Sequence, residues 1–267
     1  MFDALYIGAT SMQAQQLNVD TIANNLANVN TTGFKKGRVS FTDLMMREAT
    51  RVQSANAADG GLEAGPLTVI PRLGAGVGVA NVAKIFELGE LKQTGSAFDI
   101  AIQGDGFLEV GMPDGSRGFS RGGTLKITAD GMLATQSGLV LKPGITVPAQ
   151  ATGIAISGDG RVRIIVPNQA TPVEAGQLEL VRFTNPSSLL AEGDNIYRAT
   201  DGSGEPMAGK PGQDGIGTVA QAYLEGSNVK LVDEMVNLMI AQRAYEASVK
   251  VVQASDEILG MVNNLHK

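Results

Sequence analysis

Apolar side chains recur at every seventh position near both ends of this chain, a spacing that few folds can use. At the start they fall at Leu5, Met12, Val19 and Leu26, flanked by Ile22 and Val29. At the end they fall at Leu231, Leu238, Tyr245, Val252 and Leu259, with Val251, Ile258 and Leu265 beside them. A seven-residue period suits a helix that buries one stripe against another helix. From Asp3 to Asn28 there is no proline and no glycine but Gly8, so a helix of about 26 residues and roughly 39 Å is expected. Thr31-Thr32-Gly33 stops it, with Gly33 suited to a left-handed cap. The second helix is expected from Ser227, read as its N-cap, to the end, with Gly260 its one breaker. About 38 residues there span some ~57 Å. One helix leads away from its terminus and the other returns, so the two can pair antiparallel. The apolar surface of the second helix is too wide for that one partner.

Between about Gly33 and Gly226 the texture changes to short β-type runs broken by Asp-Gly pairs: Asp105-Gly106, Asp114-Gly115, Asp130-Gly131, Asp159-Gly160, Asp201-Gly202 and Asp214-Gly215. Such pairs signal hairpins. Phe98–Ile102, Gly106–Val110, Arg161–Val166 and Gln177–Phe183 read as strands. Arg51–Gly78, rich in Ala and Gly, reads as extended and poorly packed. The expected fold class is α+β: paired long N- and C-terminal helices, coiled-coil-like, with a central antiparallel all-β domain and an extended connecting segment. The expected domains are residues 1–30 with 227–267 (helical), 31–85 with about 205–226 (connecting) and 86–204 (β).

Composition removes most chemistry. With no cysteine, disulfides, zinc-thiolate sites and iron–sulfur clusters are excluded. The single histidine, His266, reads as a solvated terminal residue. Aromatics are 4% of the chain with no tryptophan, which disfavours a deep aromatic pocket. Twenty-one basic residues against 27 acidic ones give net −6, and Lys35-Lys36 with Arg38 is the one dense basic run, so nucleic acid is not an expected partner. Gly204–Lys210 fits most of a phosphate-binding loop, but Pro211-Gly212 supplies neither the hydroxyl nor the helix that such a loop needs. Gly74–Gly78 lacks a surrounding βαβ unit and reads as a flexible or turn segment. Asp99, Asp105 and Glu109 are close in sequence, yet Asp99 and Glu109 read as solvated strand residues. No catalytic, cofactor or metal residue is assigned, and no cofactor is expected. No basic-then-apolar leader and no bilayer-length apolar run is visible.

Asparagine is a mediocre helix former, and Asn24, Asn25, Asn28 and Asn30 crowd one helix end. Fraying and capping is one reading; amides bonding to neighbouring helices and fixing their register is the other.

Asn18–Lys35, spelled NVDTIANNLANVNTTGFK, resembles the N-terminal signature of the rod and hook family of the bacterial flagellum. Phe98–Phe107, spelled FDIAIQGDGF, is similar to that family's β-domain motif. Leu224–Val229 and Met239–Glu246 resemble its closing helix. The motifs stand in family order and bracket nearly the whole chain. Its length and the segment Leu44–Val79 look more like a rod subunit than the hook subunit, which is usually longer. The resemblance implies a subunit stacked helically about an axial channel, with the terminal helices as inner tube, the β domain as outer wall and the segment after Gly33 as a strut. Implied partners are copies of itself, neighbouring rod and hook proteins, the flagellar type III export apparatus and the ring proteins around the rod. The implied place is the basal body from periplasm to outer membrane, reached without a cleaved signal. Expected subunit-interface residues are Leu5, Met12, Val19, Asn24, Asn25, Leu26, Asn28, Gly33, Phe34, Leu231, Leu238, Tyr245, Val252 and Leu259. Apolar faces left bare on a single chain favour disorder at its ends until assembly buries them. Within the family the alternative is a hook or proximal rod subunit; from a different class, a secreted β-domain enzyme or glycan binder with helical arms is the remote alternative, and it would keep its activity without the helices.

Overall fold

The computed structural model describes residues 2–45, 74–167 and 171–265. A helix stands at each end, α1 (Phe2–Ala27) and α2 (Leu231–Leu265), with antiparallel strands between them. The expected α+β class, helices at the termini and an antiparallel β domain in the middle, is the observed one. Residues 51–73 of the segment read as extended, and His266, lie outside the described residues.

The helix ends differ from expectation for local reasons. After Ala27 the chain tightens into turns, in which the Asn28 N–H meets the carbonyls of Asn24 and Asn25 at 3.2 and 3.1 Å. Gly33 does take a left-handed φ of +70°, but beyond the helix, where its N–H donates to the Glu225 carbonyl at 2.7 Å. Ser227 is not the cap of α2: its hydroxyl accepts from the Val229 N–H at 3.3 Å, a local turn, and helical bonding starts with the Glu234 N–H on the Lys230 carbonyl at 3.0 Å. Asp233 and Glu234 then place negative charge in the first turn, where the helix dipole favours it.

The strands form several small sheets. A four-stranded sheet runs in the order Thr218–Gln221, Asp99–Gln103, Gly122–Ile127, Leu133–Thr135. A larger one runs Leu190–Gly193, Ile196–Arg198, Arg117–Ser120, Phe107–Gly111, Leu180–Arg182, Met207–Gly209, with Leu141–Lys142 also pairing Phe107–Gly111. Gly153–Ile156, Arg161–Ile165 and Val173–Gln177 make a third, and Leu91–Gln93 pairs Tyr223–Glu225. Alternation does the sorting: on Arg161–Ile165, Val162 and Ile164 are buried while Arg161 and Arg163 are exposed.

Three of the six Asp-Gly pairs turn hairpins. Asp114-Gly115, Asp130-Gly131 and Asp159-Gly160 each join strands that pair with one another. Asp105-Gly106, Asp201-Gly202 and Asp214-Gly215 instead carry the chain away from its neighbour in sequence, so the strands on either side pair elsewhere. Gln177–Phe183 is not one strand: Gln177 pairs Arg161, while Leu180 pairs Leu108 in another sheet. Gly74–Gly78 is not a turn but the start of the strand Gly74–Lys84, which pairs Gly37–Met45. Gly76, at φ +106°, lets that strand come so near α1 that a Cβ there would stand 2.5 Å from Thr10 Oγ1. Met207–Gly209, inside the rejected phosphate-loop match, is a strand.

Two compact units share the chain. One gathers the described residues of Met1–Ala23, Arg38–Val82 and Met235–Lys267; the other comprises Asn24–Gly37 and the described residues of Ala83–Glu234. Both apolar cores lie in the second. One is aliphatic, built on Ile100, Ile102, Leu108, Val110, Leu141 and Leu180; the other packs Phe107, Phe119, Phe183 and Tyr197 edge to face, with Phe86 against them. These five aromatics are thus spent on packing, whereas Tyr6, Phe41 and Tyr245 are exposed. In the first unit, the buried apolar residues are Ala14, Ile22, Val39 and Ala241 among those described.

Candidate assembly interface and a buried ion cluster

Lys35, Arg121 and Glu225 are each at most 3% exposed and meet in the second unit. Lys35 follows the turn at Gly33, Arg121 joins the strands Arg117–Ser120 and Gly122–Ile127, and Glu225 ends the strand Tyr223–Glu225. Lys35 Nζ lies 2.6 Å from Glu225 Oε1, and Arg121 Nε lies 3.2 Å from Glu225 Oε2. The Gly89 N–H also donates to Oε1 at 2.9 Å. Two cations face one carboxylate. The surplus positive charge rests on backbone carbonyls: Glu87 accepts from Lys35 at 2.6 Å, and Gly106 and Gly104 accept from Arg121 Nη1 at 2.7 and 3.0 Å. Burial holds the Lys35 ammonium below its usual pKa, with Glu225 pulling the other way. Burial pushes the neighbouring Tyr197 phenol well above its usual range.

Two asparagines tie the same region. Asn25 accepts from the Gly37 N–H at 2.8 Å, donates to the Gly37 carbonyl at 2.9 Å, and reaches Glu234 Oε2 at 3.3 Å. Asn228 accepts from the Lys36 N–H and donates to the Ile85 carbonyl, each at 2.8 Å. Asn25, expected at the subunit interface, therefore has its amide engaged within its own chain. Gly33 and Phe34 are likewise buried within the chain, Phe34 under Lys84 Nζ at 4.4 Å from the ring centroid. Asn24 is exposed, and Asn28 is half-buried, donating to the Asn24 carbonyl at 2.9 Å. Both line a cavity of about 530 Å³ with Thr31, Thr32 and Asn195.

On the helices, Leu5, Met12, Val19 and Leu26 are half-buried, as are Leu238, Val252 and Leu259, while Leu231 and Tyr245 are exposed. The two helices touch each other. Ser11 and Ser248 share a hydrogen bond at 2.9 Å, and a Cβ on Gly8 would stand 2.5 Å from Val252 Cγ2. Part of the heptad row is therefore used within the chain. Apolar residues of α2 outside that row are bare as well: Met235, Val236, Met239 and Ile240 are 53, 44, 54 and 60% exposed. Their i, i+1, i+4, i+5 spacing puts them on one face. Val251, Ile258, Met261 and Val262 are exposed further along. Val251 and Ile258 belong to the row read beside the heptads, whereas Met235, Val236, Met239, Ile240, Met261 and Val262 lie outside both rows, although the width of the apolar surface announced them. Arg121 carried no signal of its own. Lys35 and Glu225 each stood inside a recognised motif.

Profiles of known families match three stretches of the chain. "Flagella basal body rod protein" covers residues 5–35, "Flagellar hook protein FlgE/F/G D1 domain" covers 101–164, and "Flagellar basal body rod FlgEFG protein C-terminal" covers 220–265. The flagellar basal-body rod protein FlgG of Borreliella burgdorferi is 42% identical over 100% of both chains. The chain belongs to the flagellar basal-body rod family. In Caulobacter vibrioides, FlgG is 39% identical over 98% of each chain, and FlgF is 34% identical over 97% of this chain and 95% of that one. Lys35 falls at the end of the first matched stretch of this rod-family chain and Glu225 near the start of the last. The ion pair thus joins the two terminal family segments to each other. Among the described residues there is no cluster of groups able to hold a metal, and no helix is long and apolar enough to cross a membrane.

Proposed function

We propose that the chain is a structural subunit of the flagellar distal rod, self-assembling helically into a hollow shaft that transmits torque and lets exported proteins pass. The carrying observation is the bare face of α2 at Met235, Val236, Met239 and Ile240, in a chain whose family consists of rod proteins. At roughly 25 cal/mol per Å² of apolar surface, covering such a face is a substantial driving force for association. The greater likeness to FlgG than to FlgF within one organism favours the distal rod over another rod position.

In this reading residues 1–30 with 227–267 form the inner helical layer, coiled-coil-like, residues 31–85 with about 205–226 connect, and residues 86–204 form the outer wall. Of the polar residues that would suit a channel lining, Gln13 and Gln16 are exposed, whereas Thr10 lies against Gly76 and Ser11 against Ser248. Further partners are the neighbouring rod and hook proteins, the ring proteins and the type III export apparatus, with the finished rod reaching from periplasm to outer membrane. Electron microscopy of the purified protein at high concentration tests the reading: tubes are expected, and a chain that stays monomeric at every concentration overturns it.

A further inference from the structure

The chain has ten methionines and no cysteine, so the methionine thioether is its one oxidisable sulfur. Met235 and Met239 sit one helical turn apart, 53 and 54% exposed, each followed by an exposed apolar neighbour, Val236 and Ile240. Resting on the reading of that face as a contact between copies, we infer that Met235 and Met239 form an oxidation-sensitive modification site that decides whether a free chain can join the polymer. With hydrogen peroxide the step balances. The sulfur gives two electrons, an S–O bond forms, the O–O bond breaks, and the second oxygen leaves as water. The product sulfoxide is polar and chiral where a flexible apolar side chain stood. Two such groups on adjacent turns place two S=O dipoles in an apolar contact that offers them no donor. Chains already assembled have this sulfur covered, so the modification acts on free chains. Sulfoxide reductases of the two epimer specificities restore the thioether. Met207 supplies an internal control: it is 46% exposed on a strand that pairs Leu180–Arg182, away from α2 in sequence and in the other unit.

The test treats the full chain with hydrogen peroxide, maps added oxygen by peptide mass, and reads the critical concentration for polymerisation by sedimentation. Oxygen at residues 235 and 239 is expected to raise that concentration by about tenfold or more, and treatment with both reductases to restore it. The double variant Met235→Leu/Met239→Leu is expected to polymerise as the parent does and to ignore peroxide, even though Met207 still oxidises. Oxidised parent that polymerises unchanged, or a double variant that peroxide still disables, overturns the inference. A Met239→Asp chain separates the two layers. If it polymerises like the parent, the face itself is misassigned and the inference falls with it. If it fails while the oxidised parent succeeds, the modification site alone falls.

Discussion

Replacing Glu225 by Gln leaves Lys35 and Arg121 buried together with no counter-charge, which is the costly way to break such a cluster. A loss of about 3–5 kcal/mol is expected, read as a lower urea midpoint. Lys35→Met removes the surplus cation and leaves Arg121 and Glu225 balanced one to one, so it should cost clearly less. The reverse ranking would show that the carboxylate is not what holds the cluster. Tyr197 gives the pH counterpart. Its phenol is held above the ordinary 10.0 by burial, so above that pH the unfolded chain gives up a proton that the folded chain keeps. The contribution is intact below pH 10.0 and declines as pH rises beyond it. Tyr197→Phe has no such proton to lose. The stability of the parent relative to this variant should therefore be level up to about pH 10 and fall above it; a difference that stays level into strong alkali contradicts the assignment.

At Gly8 two helix-scale effects oppose each other. Alanine in mid-helix is better than glycine by about 1 kcal/mol, but its Cβ would stand 2.5 Å from Val252 Cγ2, and overpacking costs about 1–3 kcal/mol. Gly8→Ala should therefore lower the midpoint of helix melting seen by circular dichroism, and Gly8→Ala on a Val252→Ala background should raise it. The same sign in both backgrounds would mean that the helices do not meet there. Elements of this kind were the legible part of the sequence. The seven-residue rows and the absence of breakers located both helices, and period-2 runs located strands such as Arg161–Ile165. What stayed hidden was decided by partners distant along the chain. Asp-Gly has the same local preference at 114–115 and at 105–106, but only the first is followed by a strand that returns to its neighbour. Asp99 looked solvated, yet it is buried, accepting from Thr94 at 2.6 Å and Thr124 at 2.7 Å, and neither hydroxyl announces that role locally. The Lys35–Arg121–Glu225 cluster gathers from three separate segments, so no spacing rule could have found it.

Over the whole molecule, burial is divided unequally. Among the described residues, every member of both apolar cores falls within 83–234, whereas the unit holding most of α1 and α2 buries few apolar side chains and leaves a run of them bare. A body with its own core folds alone; helices short of burial need other surfaces. In the proposed reading those surfaces belong to other copies of the chain, and a contact between unlike faces is the one that gives an open tube, where a self-complementary face would give a closed dimer. A fragment of residues 83–234 lacks Lys35 but keeps Arg121 opposite Glu225, so its buried charge is balanced. It should melt in one cooperative transition and remain monomeric at any concentration, while the full chain polymerises above a threshold concentration. Should the fragment polymerise as readily as the full chain, assembly would have to be carried by the β domain. Should it fail to fold, the terminal segments would be part of the core and could not be held in reserve for assembly.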